Sequence, residues 1–167
     1  MRLEEGLLFL SDSRTNAGVD NVSSYRKLHV FRPDDDRVIT LQSAGNLATT
    51  QEVLDRIGRD LAGSNESLAT VDELFEAALY VGRIGTEVAD RHRASLGRVG
   101  ANGTATFILG GQIGDGEPDI LLVYPEGSYI RASDDRPFLQ IGETKYGKAW
   151  LDLAVTADEG RDGSAAP

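Results

Sequence analysis

The sequence predicts a layered α+β fold, and three observations predict it. Short apolar runs bounded by Gly, Asp and Pro fall in the first and last thirds of the chain, as strands do. A helical period of apolar residues occupies only the middle third. The expected order is therefore three strands, two helices and an antiparallel meander, without the alternation of a parallel βαβ fold.

Each element has its own warrant. Residues 6–13, "GLLFLSDS", read as a strand buried on both faces, with Arg2-Leu3 the stub of an earlier strand and Glu4-Glu5 at the turn. "TNAGVDN" is a loop by its Asn, Gly and Asp content. "YRKLHVF" (25–31) and "VITLQSAG" (38–45) are strands joined across "RPDDDR" as a hairpin. Thr49 and Glu52 fit a capping box, followed by Val53, Leu54, Ile57 and Leu61 at helical spacing. "AGSNES" then breaks the chain. Thr70 and Glu73 fit a second box ahead of Leu74, Ala78, Val81, Ile84 and Val88, in a helix running to about Ser95. Gly82 and Gly85 are weak points of that helix or sites of close packing. Strands return in "TATFILGGQIG", "DILLVY", "SYIRA" and "FLQIG", separated by the turn signals "GDGEP" and "YPEGS". A last short helix is expected near Thr144, and "ADEGRDGSAAP" carries no apolar period, as disordered tails do.

A chain of 167 residues is most simply one domain. Its net charge of -10 argues against nucleic acid or an anionic membrane as partner, since both call for a basic face. With no cysteine there is no disulfide, thiolate metal site or cysteine nucleophile, and two histidines argue against a multi-histidine metal site. "MRLEEGLLFL" has too short an apolar run and the wrong charges for a signal peptide, and no segment is long enough to span a bilayer. A cytoplasmic protein is expected.

Strand alternation places Tyr25, Lys27, His29 and Phe31 on one face, so Lys27 lies among aromatics beside a core. A lysine there is costly unless paired, and Asp12, closing an apolar strand, is the candidate partner. Spacing alone leaves open a solvated lysine and a turn-forming Asp-Ser pair, because charged residues are mostly exposed. "SAG", with Ser43 and Gly45, ends a strand just before a helix. The glycine there is either a simple turn residue or one that lets a backbone N–H approach a ligand. "GGQIGDG" lacks the Lys-Ser/Thr ending of a phosphate loop and reads as a bulged hairpin. "DDD" at 34–36 reads as a polar hairpin tip rather than a cation site, His29 as a packed strand histidine and His92 as an exposed helical one.

Together, "GLLFLSDSRTNAGVDNVSSYRKLHVF", "LQSAGNLATTQ" and "QIGETKYGK" resemble the bacterial proteasome-type peptidases called Anbu, more distant relatives of HslV and proteasome β subunits. The resemblance implies a peptidase domain over residues 1–148 and a divergent tail over 149–167. It implies the N-terminal-nucleophile hydrolase fold, a four-layer αββα sandwich, here without its first strand and its C-terminal strands. It further implies a threonine endopeptidase acting on peptides or unfolded proteins inside a homo-oligomeric ring or helical stack, with no metal or organic cofactor. In such enzymes the hydroxyl of an N-terminal threonine attacks the carbonyl and its own α-amine is the base. Residue by residue, Asp12 and Lys27 fall on the family's aspartate and lysine, and Gly45 on the glycine whose N–H faces the oxyanion. The proteasome serine after "IG" is Glu143 here, and no role carries over to it.

No Thr or Ser stands first in the sequence, which opens Met1-Arg2. Losing the nucleophile from a cooperating set costs on the order of a millionfold in kcat, so the chain as written is expected to be an inactive peptidase. The alternatives are a structural subunit of a proteasome-like assembly and an unrelated α+β binding domain.

Overall fold

The computed structural model describes residues 1–13, 24–63 and 66–143. A two-stranded hairpin opens the chain, β1 (Arg2–Leu3) against β2 (Gly6–Leu7), with Arg2 opposite Leu7. Five antiparallel strands form the main sheet in plain sequence order: β3 (Leu28–Phe31), β4 (Arg37–Gly45), β5 (Ala105–Ile113), β6 (Asp119–Val123) and β7 (Tyr129–Arg131). Between β4 and β5 lie the helices α1 (Leu47–Leu61) and α2 (Leu74–Arg98).

Alternation along the strands divides the core in two. Ile39 and Leu41 of β4, Phe107 and Leu109 of β5, and Leu121 and Val123 of β6 face the helices. There they meet Val53 and Ile57 of α1 and Ala77, Ala78, Val81, Ile84 and Val88 of α2. The residues between them on β5 and β6, Ile108 and Ile120, turn to the opposite face. With Ala132 they gather Leu7 and Phe9 of the hairpin arm and Leu139 and Ile141 of the last described segment. The sheet is thus covered by helices on one face and by extended chain on the other.

The strand–helix–meander order expected from the sequence is the order found, with differences at the ends. The first strand is paired over Gly6–Leu7 with β1 and at Leu8 with Met1, and the residues after it leave the ladder. Residues 138–142, read as a strand, belong to no ladder among the described residues. The segment after β5 is a hairpin, as expected. The pairing of β5 with both neighbours runs without a bulge, so that detail is corrected.

Both N-caps lie three residues from the threonines the sequence suggested, earlier in α1 and later in α2. The N-cap of α1 is Asn46, whose side-chain oxygen accepts the N–H of Thr49 at 3.0 Å. Thr49 lies inside the first turn and sends its hydroxyl to the Gly103 carbonyl instead. The N-cap of α2 is Glu73, and the Glu76 carboxylate accepts the N–H groups of Asp72 (2.8 Å) and Glu73 (3.1 Å). Thr70 closes the turn that begins at Ser67. Gly82 is a close-packing site, since a Cβ there would lie 2.5 Å from the Gly127 carbonyl oxygen. The "TNAGVDN" loop, the helix near Thr144 and the tail lie outside the described residues.

Candidate active site

The site grows from two backbone contacts. The N–H of Ser43 donates to the Lys27 carbonyl at 3.1 Å, extending the β3–β4 pairing one residue before β3 itself. One step further back the chain changes partner, and the N–H of Tyr25 donates to the Ser13 carbonyl at 2.8 Å. That exchange lays residues 11–13 beside residues 25–27. Lys27 Nζ then reaches Asp12 Oδ1 at 2.8 Å.

The pair lines a cleft of about 550 Å³ together with Leu10, Ser43, Gly45, Thr50, Gln140 and Glu143. Lys27 keeps 24% of its side chain exposed and Asp12 keeps 66%, so the pair forms part of the cleft wall instead of lying buried beneath it. Gln42, buried in the sheet, holds the arm that carries Asp12 by donating its amide N–H to the Leu10 carbonyl at 2.7 Å.

Gly45 ends β4 with φ +108°, a conformation side chains rarely adopt, and a Cβ there would sit 2.6 Å from the Thr104 carbonyl oxygen. Backbone N–H groups two residues apart in a strand point to the same edge. The N–H of Gly45 therefore points as that of Ser43 does, beyond the last β3 contact and toward the cleft that Gly45 lines. Asn46 caps the helix that starts immediately afterwards. Burial raises the Tyr25 phenol, with the Asp55 carboxylate adding to the shift.

The remaining singled-out residues lie elsewhere. His29 places Nε2 2.9 Å from the Arg26 carbonyl oxygen and is tilted against the Tyr25 ring, and burial lowers its pKa. His92 is exposed on α2 and pairs with Glu52 of α1 at 2.8 Å, a partner the sequence did not reveal. Asp34 is the hairpin tip, accepting from the Asp36 N–H and from Arg37 Nε. "GGQIGDG" is not in the cleft. Gln140 and Glu143 line the cleft, yet sequence reasoning gave them no role. The available signal was alternation: Leu139 and Ile141 are apolar, so a residue between them faces the other way.

Solved structures match the chain over most of its length. Anbu (ancestral β subunit) from Yersinia bercovieri superposes with a TM-score of 0.83 at 42% identity, over 92% of this chain and 63% of that one. The chain is an Anbu-like relative of the proteasome β subunit. Anbu from Pseudomonas aeruginosa, described as a helical assembly, gives a TM-score of 0.80 at 40% identity over 86% of this chain and 59% of its own. Anbu from Hyphomicrobium sp. strain MC1 gives 0.76 at 44% identity over 90% and 62%. This Anbu-like chain thus spans about three fifths of the length of the proteins it resembles. No family model matches it, and no curated protein does. No helix among the described residues is long and apolar enough to cross a membrane.

Proposed function

We propose that the protein is a proteasome-type threonine endopeptidase subunit that hydrolyses short or unfolded peptides in the cleft of Asp12, Lys27 and Gly45. The observation that carries this reading is the Asp12–Lys27 contact of 2.8 Å, formed in the same cleft that Gly45 lines. An α-amine with an ordinary pKa near 8 is a suitable base only while neutral, and a cation beside it favours the neutral form. Lys27 supplies that cation and Asp12 holds it in place. The N–H of Gly45 stabilises the oxyanion of the tetrahedral intermediate. The threonine hydroxyl adds to the peptide carbonyl, its proton passes to the amine, and the amine returns it to the leaving nitrogen. Water then releases the acyl group.

The hairpin indicates where such a threonine would stand. Arg2 pairs with Leu7 and Leu3 with Gly6, and the Met1 amine already donates to the Leu8 carbonyl at 2.8 Å. Continued upstream in the same register, the ladder runs alongside Phe9, Leu10 and Ser11, toward Asp12 and Lys27. The helix pair, the five-stranded sheet and the hairpin arm are read as three layers of an αββα sandwich whose subunits assemble with like subunits. The subunit from Pseudomonas aeruginosa, described in a helical assembly, supports that reading.

The test is the intact mass and N-terminal sequence of the protein purified from its native locus, followed by treatment with a threonine-directed acylating inhibitor. We expect a mature chain headed by Thr that gains one inhibitor mass. A mature chain beginning at Met1, or one that takes up no inhibitor, would replace this reading with that of a structural subunit.

A further inference from the structure

We propose that Gln140 is a substrate-binding residue that accepts a backbone N–H of the bound peptide; the proposal rests on the cleft being a peptide site. The side-chain oxygen of Gln140 is the one buried side-chain polar atom among the described residues without a hydrogen-bond partner. Such an orphan acceptor carries an unrecovered desolvation cost, and a donor arriving from outside recovers it. Gln140 lines the same cleft as Asp12, Lys27 and Gly45, so a peptide bound there lies beside it.

The local chain suits the role. Leu139 and Ile141 are anchored in the apolar cluster under the sheet with Ile108 and Ile120. They fix the backbone on either side, while no hydrogen bond among the described residues holds the Gln140 amide. Residues 138–142 also take part in no backbone–backbone hydrogen bond among the described residues. An extended peptide beside them finds open backbone groups and a side-chain acceptor together. The ligand class is an unmodified peptide backbone, whose amide N–H is the donor that matches.

The experiment uses the full-length protein and a dansyl-labelled, C-amidated hexa-alanine. It also uses versions of this peptide N-methylated at one backbone nitrogen each. Fluorescence titration gives Kd without requiring turnover. We expect Gln140→Leu to weaken binding of the parent peptide about tenfold, near the worth of one hydrogen bond. One N-methylated peptide should bind wild type equally weakly and show no further loss with Gln140→Leu. Gln140→Glu, which keeps an acceptor, should recover most of the parent affinity. The melting temperature of Gln140→Leu should not fall, because no folded-state hydrogen bond is lost. Unchanged parent affinity in Gln140→Leu, equal losses on every N-methylated peptide, or no peptide binding by wild type would each overturn the proposal. Peptide binding with these effects but no hydrolysis would overturn the peptidase reading alone.

Discussion

At the scale of single residues, the ion pair of the cleft and the buried polar pair of the helices make opposite predictions. Lys27 is held by Asp12 at the cleft wall and keeps 24% of its side chain exposed. Lys27→Ala in the full-length protein should therefore abolish hydrolysis of a small peptide amide while assembly and melting temperature stay near wild type. Retained turnover would remove Lys27 from the mechanism. Tyr80 is the reverse case, a residue of stability alone. It is buried, with its hydroxyl donating to Asp60 Oδ2 at 2.9 Å. Burial alone would raise the Asp60 carboxyl, but the Tyr80 hydroxyl and the Arg59 guanidinium outweigh it and hold the carboxyl below its usual value of 3.8. A carboxyl depressed in the fold stabilises above its unfolded pKa, and that stability is lost as pH falls through the folded pKa. Tyr80→Phe should cost about 1–2 kcal/mol near neutral pH. In urea titrations the gap from wild type should narrow below about pH 3.8, the ordinary carboxyl value. A gap independent of pH would mean that packing, and not the Asp60 contact, carries the loss. The sequence led to Asp12 and Lys27 because both stand out as charges against apolar strands. Tyr80 and Asp60, twenty residues apart on different helices, have no such signature.

At the scale of elements, the two helices are joined by charge as well as by their apolar faces. Glu52 of α1 accepts from Arg56 of its own helix and from Arg91 and His92 of α2, and Arg56 also reaches Glu87 of α2. The hydrogen bond from His92, with the nearby arginines, keeps the Glu52 carboxyl low against the opposing effect of burial. Below these charges α2 presses on the turn between β6 and β7 at Gly82, where Gly127 backbone leaves no space for a methyl group. Ala is the better helix former by about 1 kcal/mol, yet overpacking against backbone costs about 1–3 kcal/mol. Gly82→Ala should thus lower stability. Gly97→Ala, in the same helix with open space around its Cβ, should raise stability by up to about 1 kcal/mol. Thermal unfolding of the pair checks both signs, and a stabilised Gly82→Ala would show that the β6–β7 turn yields. The helical period located both helices. Their first residues were misplaced because a Thr followed three later by Glu also occurs inside a helix, as at Thr49, and in the turn before one, as at Thr70. Asn46 wins the cap because Gly45 ends the strand directly before it.

At the scale of the whole molecule, the relevant quantities are net charge and apolar surface. The chain carries -10 at pH 7, while Leu10 (79%), Leu3 (52%) and Val30 (52%) lie largely open. Like charge opposes self-association and is screened by salt, whereas apolar contact is not weakened by it. The full-length protein should accordingly form larger assemblies at about 300 mM salt, where screening is short-ranged, than at about 20 mM. Sedimentation velocity at the two ionic strengths reads this directly. Dissociation on adding salt would mean that ion pairs between subunits dominate the contacts. Leu10 on the Asp12 arm is exposed and lines the cleft, so apolar surface and cleft wall are adjacent.

The sequence by itself determined the order of elements and the family, because hydrophobic period is a local property and the motif around Asp12 and Lys27 is long. It also singled out by type three residues that line the cleft: a carboxylate ending an apolar run, a lysine among aromatics, and a glycine between strand and helix. Only the tertiary structure decided that they meet. Tyr25 leaves the β4 edge to pair with Ser13, and that exchange of partners between segments far apart in the chain has no local signature. Gln140 was hidden for the same reason, since whether a buried amide finds a partner depends on every segment that surrounds it.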